Sequence, residues 1–221
     1  MDMGRVAILG GTFDPVHWGH LVLAQMALSQ LNLERVIWVP SLHPPHKHGS
    51  AYEHRRWMVE LAIAENSAFT LAQRRMNSTE PDYALSTFKD LQTTDPSCQW
   101  FWIIGLDSFQ TLPRWYGREQ LVPACEWLVA PRFSMLAMAN TVSSTRTDTL
   151  QEPEHQANHV CEQIAAQLAD QNIPIRWQLL QMPNLGISSS LIRQYCHQHR
   201  SIRYLVPDSV RAYISHHNLY N

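Results

Sequence analysis

Val6-Ala7-Ile8-Leu9-Gly10-Gly11-Thr12-Phe13-Asp14-Pro15-Val16-His17-Trp18-Gly19-His20 is the stretch on which the fold turns. Four apolar residues lead into a glycine pair, and a long helical pattern begins at Leu21. That order reads strand, turn, helix start. His17 and His20 stand three residues apart where the helix begins, so they share one face. Helix-start amides, glycines that admit close approach and paired imidazoles suit a phosphate chain. No Gly-Lys-Ser/Thr follows, so this is not a Walker loop. The spacing is also wrong for the Gly-x-Gly-x-x-Gly dinucleotide fingerprint. Either histidine alone would read as a surface residue on a tight turn; both in register within one run argue for function.

Outward from this run, strands and helices alternate. Strands are expected over residues 5–9, 35–39, 69–73, 126–130 and 175–180, with Pro40 ending the second. Helices are expected over 20–31, 54–66, 83–91 and 108–112. Trp100-Phe101-Trp102-Ile103-Ile104 is a continuous apolar run, the pattern of a central strand covered on both faces. The alternation predicts an α/β protein with a doubly wound parallel sheet and right-handed crossovers. Ligands of such sheets bind beyond the carboxyl ends of the strands. The glycine-histidine turn and Gly105-Leu106-Asp107 are therefore expected to face one crevice. Residues 132–172 are the least regular. Within them, 141–153 shows no apolar period and reads as a surface insertion, and 160–169 as an amphipathic helix. Residues 188–221 read as two helices joined by Arg203-Tyr204-Leu205-Val206-Pro207, with Asp208 as N-cap of the last. The expected organisation is one domain over 1–221, with a sheet core over 1–185 and a small helical part over 186–221.

Composition bounds the function. The chain has 221 residues, a net charge of -2 and 45% hydrophobic residues, enough for one good core without a broad basic surface. No nucleic-acid or membrane partner is expected. Only Lys47 and Lys89 among the 17 Lys and Arg residues are lysines. Arginine is the better fork for phosphate and carboxylate. The cysteines, Cys98, Cys125, Cys161 and Cys196, form no Cys-x-x-Cys pair and match no zinc spacing, so they read as thiols of a reducing cytosol. The first residues carry no signal-peptide pattern, and no run reaches transmembrane length. A cytoplasmic location is expected; oligomeric state is not legible.

A second chemical motif is Ile187-Ser188-Ser189-Ser190-Leu191-Ile192-Arg193. Three hydroxyls open a helix, and an arginine follows one turn in. These groups together can hold phosphate oxygens, although a serine N-cap with a solvated arginine gives the same letters.

The first run resembles the His-x-Gly-His signature of the nucleotidyltransferase superfamily. Its fuller form, Gly-Gly-Thr-Phe-Asp-Pro-x-His-x-Gly-His, is similar to that of the bacterial nicotinate-nucleotide adenylyltransferases. Residues 187–193 resemble that family's Ile-Ser-Ser-Thr-x-Ile-Arg, with Ser190 in place of threonine and the hydroxyl kept. Pro44-Pro45-His46-Lys47, Ile104-Gly105-Leu106-Asp107 and Pro113-Arg114-Trp115-Tyr116 resemble further family strings. Asp82-Tyr83-Ala84-Leu85-Ser86-Thr87 resembles Tyr-Thr-x-x-Thr, with Ala84 replacing the first threonine. Arg132-Phe133-Ser134 stands where the family often has Arg-Pro-Gly.

The resemblance implies a Rossmann-like nucleotidyltransferase fold and adenylyl transfer from ATP to nicotinate mononucleotide. It implies catalytic roles for His17, His20, Lys47 and Arg193. ATP would lie along Gly10, Gly11, Thr12, Phe13, His17 and His20, along Gly105 and Asp107, and along Ile187, Ser188, Ser189 and Arg193. The pyridine mononucleotide would meet Asp14, Lys47, Tyr83, Thr87, Asp107, Trp115, Tyr116 and Arg132, with Trp115 stacked on the ring and the Tyr116 amide on its carboxylate. Mg²⁺ would arrive on ATP, so no protein-built metal site is expected. Three other readings stay open: the same chemistry on nicotinamide mononucleotide, both acceptors served, or a nucleotide sensor without turnover. Phosphopantetheine enzymes are shorter and lack the Gly-Gly-Thr-Phe-Asp-Pro string. A dehydrogenase would want an acidic residue after the second strand, where Val39 and Pro40 stand.

Overall fold

The computed structural model describes residues 3–42, 49–73, 83–131, 152–183 and 185–221. The elements run β1 (Arg5–Gly11), α1 (Trp18–Gln30), β2 (Arg35–Pro40), α2 (Tyr52–Ile63), β3 (Phe69–Leu71), α3 (Ala84–Thr94) and β4 (Gln99–Gly105). Then come α4 (Leu106–Phe109), a 3₁₀ turn at Leu112–Arg114, α5 (Arg118–Ala124), β5 (Glu126–Ala130), α6 (Glu152–Ala169), β6 (Arg176–Leu179), α7 (Ser189–His197) and α8 (Asp208–His216).

The six strands form one sheet in the order β3-β2-β1-β4-β5-β6, with helices on both sides. This is the doubly wound order of dinucleotide-binding sheets. The apolar runs form the core: Val6, Ala7 and Ile8 of β1 and Trp127, Leu128 and Val129 of β5 are fully buried. Pro40 closes β2 opposite Gly11, a strand end where a missing N–H costs nothing.

Two compact units make up the chain. The first, the histidine unit, spans Val6–Asp82 and Ile187–Asn221. In it α2 packs on α8 and on β2. The second, the tryptophan unit, spans Tyr83–Gly186 with the first five residues. There α3 packs on α5, and α4 on α6.

Several elements differ from expectation for identifiable reasons. The first helix starts at Trp18 rather than at residue 20, with His17 as N-cap. The helix expected over 160–169 starts at Glu152, so residues 152 and 153 are helical rather than part of an insertion. Its buried stripe is Ala157, Cys161, Ile164 and Leu168. Two of these are small or weakly apolar, which masks the period in the letters. The helix expected over 108–112 is α4, capped by Gly105, with Asp107 in its first turn. The last helix is capped by Pro207; Asp208 is its first residue and bonds Arg211 at 2.9 Å instead. The helix α5 was not expected, because Pro123 sits inside its short span. Residues 132–151, most of the expected insertion, lie outside the described residues. No described helix is long and apolar enough to cross a membrane.

Candidate functional site

In the histidine unit the glycine turn is held rigidly. Phe13 takes a left-handed backbone conformation, φ 51°. Its ring is 2% exposed and lies edge-on to His20 at 5.0 Å and tilted against Trp38 at 5.3 Å. Gly11 makes this possible, because a Cβ there would come within 2.9 Å of the Phe13 ring. His17 and His20 stack, with centroids 3.7 Å apart. The His17 amide donates to Nδ1 of His20 at 3.3 Å, so a neutral His20 carries its proton on Nε2. Gly19 lets the pair form: a Cβ at that position would stand 3.0 Å from the His17 ring. The glycine of this motif thus has a local steric reason.

The second motif clasps the first. Ser188 caps α7 by accepting from the Leu191 amide at 3.1 Å. The Ser189 hydroxyl donates to the Pro15 carbonyl at 2.9 Å, and Arg193 Nη1 donates to the Asp14 carbonyl at 2.6 Å. Arg193 Nη2 also reaches the Ser190 hydroxyl at 3.2 Å. The Ile187 carbonyl lies 3.7 Å from the Gly19 Cβ direction. Two helix starts therefore stand together with two imidazoles and a guanidinium, a concentration of donors fit for phosphate oxygens.

Asp14 sits differently from a ligand-facing residue. It is 3% exposed, and its carboxylate accepts from the Tyr220 hydroxyl at 2.6 Å and the Ser50 amide at 3.3 Å. Burial, and then the bond to Asp14, push the Tyr220 phenol far above its ordinary pKa, so it stays a donor. Arg55, on α2, is 2% exposed. Burial lowers its pKa from the ordinary guanidinium value, and the Asp14 charge opposes that fall. Lys47 lies outside the described residues.

In the tryptophan unit the aromatic groups divide between core and surface. Trp102 and Trp127 stack at 5.7 Å, and Trp115 stands edge-on to both, at 6.3 and 6.0 Å. Trp115 Nε1 donates to the Thr111 hydroxyl at 2.9 Å. It is half-buried. Tyr83 and Tyr116 stack on each other at 4.3 Å and are 39% and 63% exposed. Thr87 is 7% exposed on the inner face of α3. Asp107 is exposed in the first turn of α4, where a carboxylate suits the helix dipole. Gly105 has nothing within 4 Å of its Cβ direction, so no neighbouring side chain demands a glycine there. Arg132 lies outside the described residues.

The cytidylyltransferase-like family model matches residues 8–195. A protein of Trichormus variabilis named "Probable nicotinate-nucleotide adenylyltransferase" is 47% identical over 219 residues, covering 99% of this chain and 98% of its own. The chain belongs to the nicotinate-nucleotide adenylyltransferase family. A Bacillus cereus protein of the same name is 31% identical over 221 residues, covering 99% of each chain. Among solved structures, Plasmodium falciparum nicotinic acid mononucleotide adenylyltransferase complexed with NaAD superposes with a TM-score of 0.70. The match covers 98% of this chain and 97% of that one at 19% identity, a likeness of fold. As an adenylyltransferase of this family, the chain keeps both phosphate-type motifs in one unit.

Two residues that brace the adenylyltransferase's turn escape motif reading. Arg55 falls in step with Met58, Val59 and Ile63 on the buried side of α2. A cation on the apolar face of a helix is a readable signal of a bonded partner. Tyr220 follows the last helix, and no pattern in the letters marks it.

Proposed function

We propose that the protein transfers the adenylyl group of ATP to nicotinate mononucleotide, giving nicotinate adenine dinucleotide and pyrophosphate. The observation that carries the reading is the meeting of the α1 and α7 helix starts, with Ser189 and Arg193 bonded to the carbonyls of Pro15 and Asp14. The names of the full-length relatives support it.

A phosphate oxygen of the mononucleotide attacks the α-phosphorus of ATP. A new P–O bond forms, the bond to the β-phosphate oxygen breaks, and pyrophosphate leaves with the electron pair. The attacking oxygen is already ionised near neutrality, so no general base is required. The protein must hold two anions in line and stabilise the charge that gathers at the transferred group. His17, His20, Ser188, Ser189 and Arg193 supply donors for this in the histidine unit, and Gly10, Gly11 and Thr12 supply backbone. Phe13 contributes through its backbone, its ring being spent on His20 and Trp38. Lys47 and Arg132 retain the roles their motifs imply. Trp115, Tyr116, Tyr83 and Asp107 are the proposed contacts for the pyridine nucleotide, and Gly105 the backbone an adenosine group passes. Mg²⁺ would arrive on the ATP substrate.

The test is pyrophosphate release with Mg-ATP, comparing nicotinate and nicotinamide mononucleotide. A strong preference for the acid is expected. Equal or reversed preference would move the protein to the amide or dual-specificity reading, and silence with both would favour a sensor.

A further inference from the structure

We propose that Arg55 is a positioning residue for adenylyl transfer: by holding the Thr12 carbonyl it fixes the conformation of Phe13 and, through the Phe13 ring, the setting of His20. The inference rests on the functional reading above and adds to it a residue outside every motif of the sequence.

All of the described donors of Arg55 go to main-chain carbonyls of three separate segments. Nη1 donates to Thr12 at 2.8 Å, in the turn after β1. Nη2 donates to Ser41 at 2.8 Å and to Leu42 at 3.4 Å, just past β2. Nε donates to Ser50 at 3.0 Å, ahead of α2. The guanidinium thus ties together the ends of two neighbouring strands and the approach to the helix that carries it. The bonds satisfy part-buried carbonyls, and the Asp14 charge offsets part of the cost of burying the guanidinium, so the residue braces the turn as well as ordering it.

The held carbonyl is the one that matters. It belongs to the peptide joining Thr12 to Phe13, and Phe13 has a left-handed φ of 51°. A bulky aromatic adopts that conformation only where its surroundings over-determine it. Arg55 holds one side of Phe13 through the Thr12 carbonyl. The far side is occupied by the ring contact with His20. Release of Thr12 would let Phe13 relax towards an ordinary φ, and its ring would leave the edge of His20. Lysine at this position keeps the charge but not the fork, and one ammonium cannot span carbonyls on three segments.

The experiment compares Arg55→Lys with wild type and with Arg56→Lys. Arg56 is the neighbouring arginine, exposed, paired with Glu60 at 3.3 Å and lying over Trp57. Four quantities are measured: melting temperature, kcat, KM for both substrates, and the His20 ring resonances by NMR. Arg55→Lys is expected to lower kcat by about 10- to 100-fold, with both KM values within about twofold, the scale of a misplaced reacting group. The His20 resonances should shift, and Arg56→Lys should match wild type in every respect. Phe13→Leu should reproduce the kcat loss, and the double variant should lose little more than either single one. An Arg55→Lys protein that melts lower but keeps kcat and the His20 resonances would make Arg55 a scaffold residue and overturn the proposal. If Arg55→Lys fails to fold, Phe13→Leu with unchanged kcat overturns it equally. A wild-type protein without turnover would defeat the functional reading instead. The His20 resonances would then decide the positioning role: unmoved in Arg55→Lys, they overturn it.

Discussion

The two units treat their functional side chains in opposite ways. In the histidine unit, Asp14, His17 and Arg55 are 3%, 5% and 2% exposed, and the glycine turn is bonded by Ser50, Arg55, Arg193 and Tyr220. In the tryptophan unit, Tyr83 and Tyr116 stand 39% and 63% exposed and stack on one another, while Trp115 leans an edge on the core. The difference follows the two tasks in the proposed reaction. Charge developing on a phosphoryl group is stabilised only by donors already in place, since reorganising them would raise the barrier. A pyridinium ring face is recognised by area, stacking and cation–π attraction, which tolerate small displacements. One unit is built for fixed positions, the other for surface.

Five substitutions can break or sharpen this contrast. The largest effect is expected from His20→Ala, which removes a donor from the rigid cluster. It should lower kcat by about 100- to 1000-fold, the scale of losing one preorganised donor. The melting temperature should change little, since the ring is only half-buried. Steady-state kinetics with a thermal melt measure both, and near-normal kcat would remove His20 from the machinery. Next comes the aromatic pair of the other unit. Trp115→Ala should raise KM for the pyridine mononucleotide more than for ATP, and also cost about 2 kcal/mol or more of stability by opening the Trp102–Trp127 edge. Tyr116→Ala, which keeps the backbone amide, should move that KM less than Trp115→Ala does and leave the melt unchanged. Equal effects on both KM values would make Trp115 purely a core residue. The smallest effects, and the most diagnostic, come from two glycines. Gly19→Ala gains up to about 1 kcal/mol of helix propensity. Its new Cβ nevertheless meets the His17 ring at 3.0 Å, so kcat should fall at nearly constant stability. Gly105→Ala meets nothing, so the melt should hold or rise slightly, and any increase in KM for ATP would report a ligand passing there.

Much of this was legible in the letters, for physical reasons. Strands buried on both faces show as unbroken apolar runs, so β5 was read to the residue, β4 to within one at each end, and β1 to within the glycine pair that closes it. Elements stabilised by small or irregular residues were read poorly: α6 hides behind Ala157, and α5 behind Pro123. The phosphate-type motifs were visible because glycine and histidine carry specific steric and donor properties. Their bracing was not. Arg55 acts through main-chain carbonyls, which leave no letter in the sequence, and Tyr220 finds Asp14 across 206 positions. The inward setting of Asp14 was missed for the same reason, since its partners are a remote phenol and an amide.

The clasp between the two motifs also sets a schedule. The bonds from Ser189 to Pro15 and from Arg193 to Asp14 join positions 174 and 179 residues apart. Closing so long a loop is entropically costly before other contacts have drawn its ends together. Chains grow from the N-terminus at roughly 5–20 residues per second, so the glycine turn leaves the ribosome roughly 10–35 s before the segment that completes it. A half-made chain carries both histidines without the Arg193 and Ser189 that bond the turn. The clasp on the glycine turn can therefore form only once residues 189 and 193 have been made.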